Sequence, residues 1–426
     1  MAGWIRDWRS LVGDQPLRAR AGRTSRLAAW GAAVADQVGR MCNQSRGHEL
    51  RTGSGEAMPV SPLRLLLIGP LPPPIGGDTR HFRTLVEDLS AASDVELTVI
   101  NVSRGDDSKK LVANIRVAVR ALWKVIRVLP RVDLVSVHAS DRGMNTLGAA
   151  VVLLSKIARR PSVVRLFGGS YGDHYQAVSH LKRWWMRRFV LNADAVLVQT
   201  RRMIRQLGAA TSGRLVWFST YLPPGSTPTR QCTAGRSCRR FVYLGHLWRS
   251  KGVSMIFAAA RGLPSDATVD VWGPMDEFTP DQIIAESGGR ATYCGVLAGS
   301  DVLATLRGYD CLLLPTSHVG EGYPGVIAES FTAGIPVIAT KWLALPEVVD
   351  ETCGLLIEPG KAQELQAAMT RLCHDDVMWR KLCEGASVRS ELFSHDRWSA
   401  VFLEVLKALW ERSGRSSNLV AQPERD

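Results

Sequence analysis

Glu321-Gly322-Tyr323-Pro324-Gly325-Val326-Ile327-Ala328-Glu329-Ser330-Phe331-Thr332-Ala333-Gly334-Ile335-Pro336-Val337-Ile338-Ala339-Thr340 places a loop, a helix and a strand in one block. Pro324 suits a first helical turn, and Gly334 with Pro336 suits its end. A short helix from about Gly325 to Ala333 leaves Glu321 in the preceding loop and carries Glu329 one to two turns in. Its amino terminus, where Gly325 offers no side chain, can receive an anion such as a phosphate. The two carboxylates then flank that anion as acceptors for hydroxyl groups. Spacing alone does not establish this, because helices with solvated acidic faces repeat glutamates freely.

Outward from this block the chain alternates short apolar runs with longer helical patterns. Leu65–Ile68, Leu97–Val102, Leu134–His138, Val163–Phe167, Ala195–Gln199 and Leu215–Phe218 come first. A turn-rich stretch from Pro223 breaks the rhythm, which Phe241–Leu244, Thr268–Trp272, Ala291–Val296, Cys311–Pro315, Pro336–Thr340 and Leu355–Ile357 resume. Such alternation predicts parallel α/β sheets. A length of 426 residues with 46% hydrophobic content exceeds a single core, which stops growing near about 250 to 300 residues. The expected organisation is a basic, poorly ordered extension over 1–57, a domain over 58–224, a linker over 225–240 and a second domain over 241–394. A helix over 395–413 is expected to pack back toward the first domain, before a tail over 414–426. Met58, just ahead of the first strand, would serve equally well as a start. Ligands of parallel sheets bind beyond the carboxyl ends of the strands, so function is to be sought in the loops there.

The order glutamate, glycine, aromatic, proline, glutamate, alanine-glycine, proline and strand, followed by Leu345-Pro346-Glu347-Val348-Val349, resembles the donor-binding signature of the family 4 retaining glycosyltransferases. The resemblance covers most of residues 63–412. It implies an α/β fold of two Rossmann-like domains facing across a cleft, the GT-B architecture, with an acceptor-binding first domain and a nucleotide-sugar-binding second one. It also implies transfer of a sugar from a nucleotide diphosphate-sugar to a hydroxyl acceptor, in surface polysaccharide or glycolipid synthesis. Carried over residue by residue, Glu321 stands at the donor sugar. Glu329 holds the nucleotide ribose, whose vicinal diol suits a carboxylate.

Tyr243-Leu244-Gly245-His246-Leu247-Trp248-Arg249-Ser250-Lys251-Gly252 is similar to the family segment whose basic residues clamp the diphosphate. Lys251 matches, His246 stands where an arginine is usual, and Arg249 is a nearby substitute. Pro72-Pro73-Pro74-Ile75-Gly76-Gly77-Asp78-Thr79 resembles the family's first glycine loop. There Gly76 and Gly77 let backbone approach the donor, although a structural tight turn is an equal reading. His138, ending its strand, is expected on the cleft rim as a catalytic candidate beside Glu321. Phe167-Gly168-Gly169-Ser170 should line the same cleft, with Asp173 and His174 as weaker candidates. Trp342-Leu343-Ala344-Leu345 replaces a stretch where the family commonly has two adjacent glycines, which predicts a bulkier loop. No cofactor and no metal are expected, since Lys251, its basic neighbours and the helix at Gly325 would neutralise the departing diphosphate.

The net charge of +13 draws the chain to anionic partners. Lys109, Lys110, Arg116, Arg120, Lys124, Arg127 and Arg131 punctuate an apolar helical pattern, and Lys182, Arg183, Trp184, Trp185, Arg187 and Arg188 form a basic-aromatic cluster. Such mixtures favour an anionic lipid surface and a lipid-linked acceptor. Tryptophans in the core with merely solvated bases account for them as well. No nucleic-acid partner is expected, because no recognised binding motif accompanies the charge. No apolar run reaches the roughly 20 residues of a membrane span, and Arg6, Asp7 and Arg9 interrupt the only early apolar stretch. A cytoplasmic location, peripheral at the inner face of the plasma membrane, is the expectation. Eight cysteines are too sparse for a disulfide framework, and Cys232 and Cys238 lack a second ligand pair for zinc. Two rivals stay open: a nucleotide-sugar epimerase on the same architecture, and a catalytically weak membrane-surface scaffold.

Overall fold

Each apolar run singled out in the sequence forms a strand. They are β1 (Leu63–Gly69), β2 (Val95–Asn101), β3 (Leu134–Ala139), β4 (Ser162–Leu166), β5 (Ala195–Val198), β6 (Arg214–Trp217), β7 (Arg240–Leu244), β8 (Thr268–Trp272), β9 (Ala291–Tyr293), β10 (Cys311–Leu314), β11 (Val337–Thr340) and β12 (Gly354–Ile357). The computed structural model describes residues 62–73, 76–103, 111–226, 228 and 237–413. The extension 1–57, the tail 414–426, Lys109, Lys110, Cys232 and most of the expected linker lie outside the described residues.

The strands build two six-stranded sheets, ordered β2-β1-β3-β4-β5-β6 and β12-β11-β10-β7-β8-β9. Every pairing is parallel, as in Leu65 opposite Leu134 or Leu312 opposite Val337. Parallel sheets are covered on both faces and so read as unbroken apolar runs. β1 shows why: Leu63, Leu65 and Leu67 enter one hydrophobic layer while Leu66 and Ile68 enter the opposite one. Both sheets have a point where the strand order reverses, between β1 and β3 and between β7 and β10. Loops diverge at such points and leave a crevice at the carboxyl ends of the strands.

The helices that frame the crevices and the outer surface of the first sheet are α1 (Gly77–Ala91), α2 (Leu111–Val128), α3 (Ala149–Ile157), α4 (His180–Trp185), α5 (Arg201–Leu207), α6 (Val253–Ala260), α7 (Gly325–Thr332) and α8 (His395–Arg412). Although last in sequence, α8 packs on the first sheet. Trp398, Phe402, Leu406 and Leu409 are buried in the layer of Leu65, Phe82 and Phe218. Among the described residues no helix is long and apolar enough to cross a membrane.

The start of α8 is pinned to α1 by an ionic contact. The His395 imidazole lies 2.8 Å from Asp88 and 3.0 Å from Asp396. Burial lowers its pKa, but the carboxylates of Asp396 and Asp88 outweigh that and hold it above the ordinary 6.5. A raised folded pKa adds stability in full below the unfolded value, and that stability is lost as pH climbs through the folded value. Relative to His395→Gln, the native chain should therefore lose stability as pH rises from about 6 to about 8, so the two melting-temperature profiles differ in slope by this linkage. Identical slopes in the two proteins would remove this linkage.

Candidate active site

The crevice of the second sheet is built by two loops held at close range. Gly252 takes φ +78°, and a Cβ there would collide with the Pro315 carbonyl. Ser317 N–H donates to the Ser250 carbonyl at 2.8 Å, so the loop after β7 lies against the loop after β10. This brings Lys251, ahead of α6, to Glu321: Lys251 Nζ donates to Glu321 Oε2 at 2.7 Å. Thr316 Oγ1 donates to the same oxygen at 2.9 Å. The Glu321 side chain is only 7% exposed and that of Lys251 18%, so each charge depends on the other for compensation. The pair sits at the β7/β10 reversal, the position where open α/β sheets bind ligands.

Glu329 lies within α7, whose amino terminus at Gly325 is preceded by an extended Pro324. Arg80 Nη2, from α1, donates to Glu329 Oε1 at 2.8 Å and to the Gly299 carbonyl at 3.3 Å. Burial pushes the Glu329 carboxyl up, and Arg80 opposes that shift. Gly325 faces His81, whose ring would stand 3.7 Å from an added Cβ. Burial, then the nearby Arg165 and Arg80, bring the His81 pKa down to about 3. Asp78, one turn before His81, is pushed up to about 6 by burial, with Arg165 working against the shift and Asp141 adding to it. Arg165 itself is 3% exposed. Its guanidinium lies over Phe218 at 4.4 Å and Phe167 at 4.9 Å, and its Nη1 has no hydrogen-bond partner among the described residues.

Arg80, His81 and Arg165 were not singled out from the sequence, yet each carries a local signal. A cation in the first turn of a helix opposes the helix dipole, so Arg80 needs a compensating anion, and Glu329 supplies it. A charge inside Ser162-Val163-Val164-Arg165-Leu166-Phe167 is equally out of place in a central parallel strand.

Gly76 is extended, with φ −156°, and Gly77 opens α1. A Cβ at Gly77 would meet nothing within 4 Å, and at Gly76 only Thr79 Oγ1 at 3.9 Å. Protein packing therefore requires neither glycine. Gly169 and Gly322, by contrast, hold the two sheets' loops together: a Cβ at Gly169 would strike the Glu321 carbonyl, and Gly169 N–H donates to the Gly320 carbonyl at 3.4 Å. Glu347 adds a second tie, accepting from Arg201 N–H at the start of α5 at 2.9 Å and from Arg205 Nη2 at 2.8 Å. Asp173 is taken by Arg202 and Gln206, both at 2.6 Å.

Three of the expected site residues have other partners in the structure, and for one of them the expected position is corrected. His138 does not stand on the rim. It is fully buried, with its ring 5.3 Å from Phe82, 5.8 Å from Phe402 and 6.1 Å from Phe167, and Ser136 Oγ 2.8 Å from Nε2. α8, which carries Phe402, closes over it. Arg249 does not join Lys251: its guanidinium lies 4.8 Å over Phe278 and reaches Glu286 at 3.4 Å. Residues two apart on a 3₁₀ turn point to different sides. His246 pairs with Asp276 at 2.6 Å and stacks on Trp248 at 4.6 Å, without contact to Lys251. In the bulky loop, Leu343 takes φ +46°, the left-handed region that glycine enters freely and other residues enter at a cost. Trp342 Nε1 braces that loop by donating to the His318 carbonyl at 2.8 Å.

Residues 238–375 match the family described as glycosyl transferases group 1. The chain is 27% identical over 255 residues to MMP alpha-(1->4)-mannosyltransferase of Mycolicibacterium hassiacum, covering 54% of this chain and 60% of that protein. It is 25% identical over 279 residues to alpha-D-kanosaminyltransferase of Streptomyces kanamyceticus, covering 59% and 71%. The matched segment thus spans less than two thirds of the mannosyltransferase's own length. Among solved structures, sucrose-phosphate synthase of Thermosynechococcus elongatus superposes with a TM-score of 0.67 at 18% identity, over 82% of this chain and all of that one. Anabaena HepE in complex with UDP gives 0.62 at 17%, over 81% and 100%. These likenesses, with the two parallel sheets, establish the GT-B fold.

Proposed function

We propose, from a chain whose residues 238–375 belong to the group 1 glycosyl transferases, that this protein moves a sugar from a nucleoside diphosphate-sugar to a hydroxyl acceptor with retention of anomeric configuration. The observation that carries the proposal is the Lys251–Glu321 pair, 2.7 Å apart and enclosed at the strand-order reversal beside the start of α7. The HepE fold is also known in complex with UDP-glucose, which supports a nucleotide-sugar donor. In this reading Lys251 and the α7 amino terminus take the diphosphate, whose charge grows as the glycosidic bond to the leaving group breaks. Glu321 accepts from a sugar hydroxyl, and Glu329 accepts from both hydroxyls of the ribose. Arg80, which holds Glu329 Oε1 in the resting protein, gives way to the ribose at that oxygen in this reading. The protein's own cations and helix dipole supply the neutralisation, so the reading calls for no metal. His138 is left to pack under the first crevice. The acceptor we propose is lipid-linked, in surface polysaccharide or glycolipid synthesis.

The test is a thermal-shift series over nucleoside diphosphate-sugars. A ligand that binds only the folded state at about 100 times its Kd stabilises by about 2.7 kcal/mol, so the matching donor should raise the melting temperature by several degrees. No shift with any donor would leave the scaffold reading. Gly77→Ala gives a finer check. With open space around it, the methyl should leave stability unchanged or raise it by up to about 1 kcal/mol. It should weaken donor binding about tenfold, because it stands where the diphosphate approaches backbone. Unchanged affinity would free the Gly76-Gly77 turn of any donor role.

A further inference from the structure

The sequence holds two basic-aromatic clusters far apart, and the fold joins them. α2 packs against α3, and α3 packs against the helical turn Met186–Val190 that continues α4. The three helices cover one side of the first sheet and present a common outer surface. From Leu111 to Arg131, Ala149 to Arg160 and His180 to Val190 there are twelve lysines and arginines and not one aspartate or glutamate. These stretches therefore carry nearly all of the chain's net +13.

The same surface is apolar. Of fifteen exposed large apolar side chains among the described residues, nine lie on these helices. Ile115, Val119 and Trp123 form one stripe of α2 at 54%, 53% and 57% exposure, and Ile157 on α3 and Leu181 and Trp184 on α4 are exposed to 71%, 77% and 56%. The tryptophans of these clusters are thus not core residues, which removes the packing explanation for them. So many large apolar side chains exposed on three mutually packed helices point to a partner surface.

We propose that the outer face of α2, α3 and α4 docks this protein on an anionic phospholipid bilayer. Charge and shape select that occupant. A second copy of the chain would set twelve positive charges against twelve. Residues 1–57 carry nine arginines against five acids, so their charge adds to that of the face and does not offset it. A nucleic acid would satisfy the bases but leaves the aliphatic stripe without use. A bilayer takes both: headgroup charge draws the bases, tryptophan seats at the interface, and the aliphatic residues enter the acyl boundary. The inference rests on the lipid-linked acceptor only for its purpose, since docking and sugar transfer are separate properties of separate surfaces.

The experiment is flotation of the full chain with vesicles of phosphatidylcholine alone or with about a third phosphatidylglycerol. The protein should float only with the anionic vesicles and be released by about 0.5 M salt. Trp123→Ala with Trp184→Ala, and separately Arg116→Glu with Lys124→Glu, should each lower partitioning at least about tenfold. All four positions are exposed, so an unchanged unfolding midpoint is expected and confirms that each variant folds. Equal flotation with neutral vesicles, no flotation, or variants that partition like the native chain would each overturn the proposal. So would tighter binding to duplex RNA than to vesicles, or self-association that the variants abolish. A Glu321→Gln protein should still float, which separates a failure of docking from a failure of the proposed chemistry.

Discussion

Glu321→Gln is expected to lower turnover by about a thousandfold while donor KM changes only a few-fold. The amide keeps the size of the side chain and can still accept from Thr316 Oγ1, which lies 2.9 Å away. What it loses is the negative charge that faces Lys251 at 2.7 Å and the positive charge that develops on the transferred sugar. The positive charge on the sugar appears only as the glycosidic bond breaks, so losing its stabilisation falls mainly on kcat, with a smaller effect on binding through the sugar hydroxyl and Lys251. Steady-state kinetics with the matched donor decide it. A loss confined to KM would move Glu321 from the chemistry to simple ground-state binding, and activity near the native level would remove it from the site.

Trp398→Ala should give the largest loss of stability, about 3 to 5 kcal/mol. Trp398 is 2% exposed. It meets Trp217 edge-on at 5.0 Å and Phe218 at 5.7 Å, and its Nε1–H donates to the Leu392 carbonyl at 2.7 Å. Truncation removes the aromatic contacts, opens a cavity and orphans that carbonyl. Because α8 lies on the first sheet though it follows the second in sequence, the loss should appear as one cooperative shift of the denaturation midpoint. Val388, 75% exposed, serves as the control, and its replacement by alanine should change stability by less than about 0.5 kcal/mol. A Trp398→Ala loss below about 1 kcal/mol would mean that α8 is only loosely seated.

The strands were legible because parallel strands, buried on both faces, leave runs such as Leu65–Ile68 and Cys311–Leu314 with no polar interruption. α7 was legible for the same kind of local reason, with proline before it and glycine after it. What could not be read was convergence. Arg80 and Glu329 are 249 positions apart, and nothing local to either announces the other. His138 looked accessible because a strand end says nothing of what covers it, and the covering residue, Phe402, belongs to α8. Arg249 is close to Lys251 in sequence, whereas in the fold its guanidinium lies over Phe278 and reaches Glu286. The basic clusters were visible as charge, but only the packing of α2, α3 and α4 shows that they share one exposed face.

Donor-dependent sugar transfer is what we propose for the Lys251–Glu321 crevice. Its most direct measurement is NMR of a reaction containing the native chain, the donor that stabilises it most, and a hydroxyl acceptor. Nucleoside diphosphate should be released one-for-one with a new glycoside whose anomeric signal matches the donor's configuration, and neither product should form without acceptor. An isomeric nucleotide-sugar formed without acceptor, or a glycoside of inverted configuration, would contradict it.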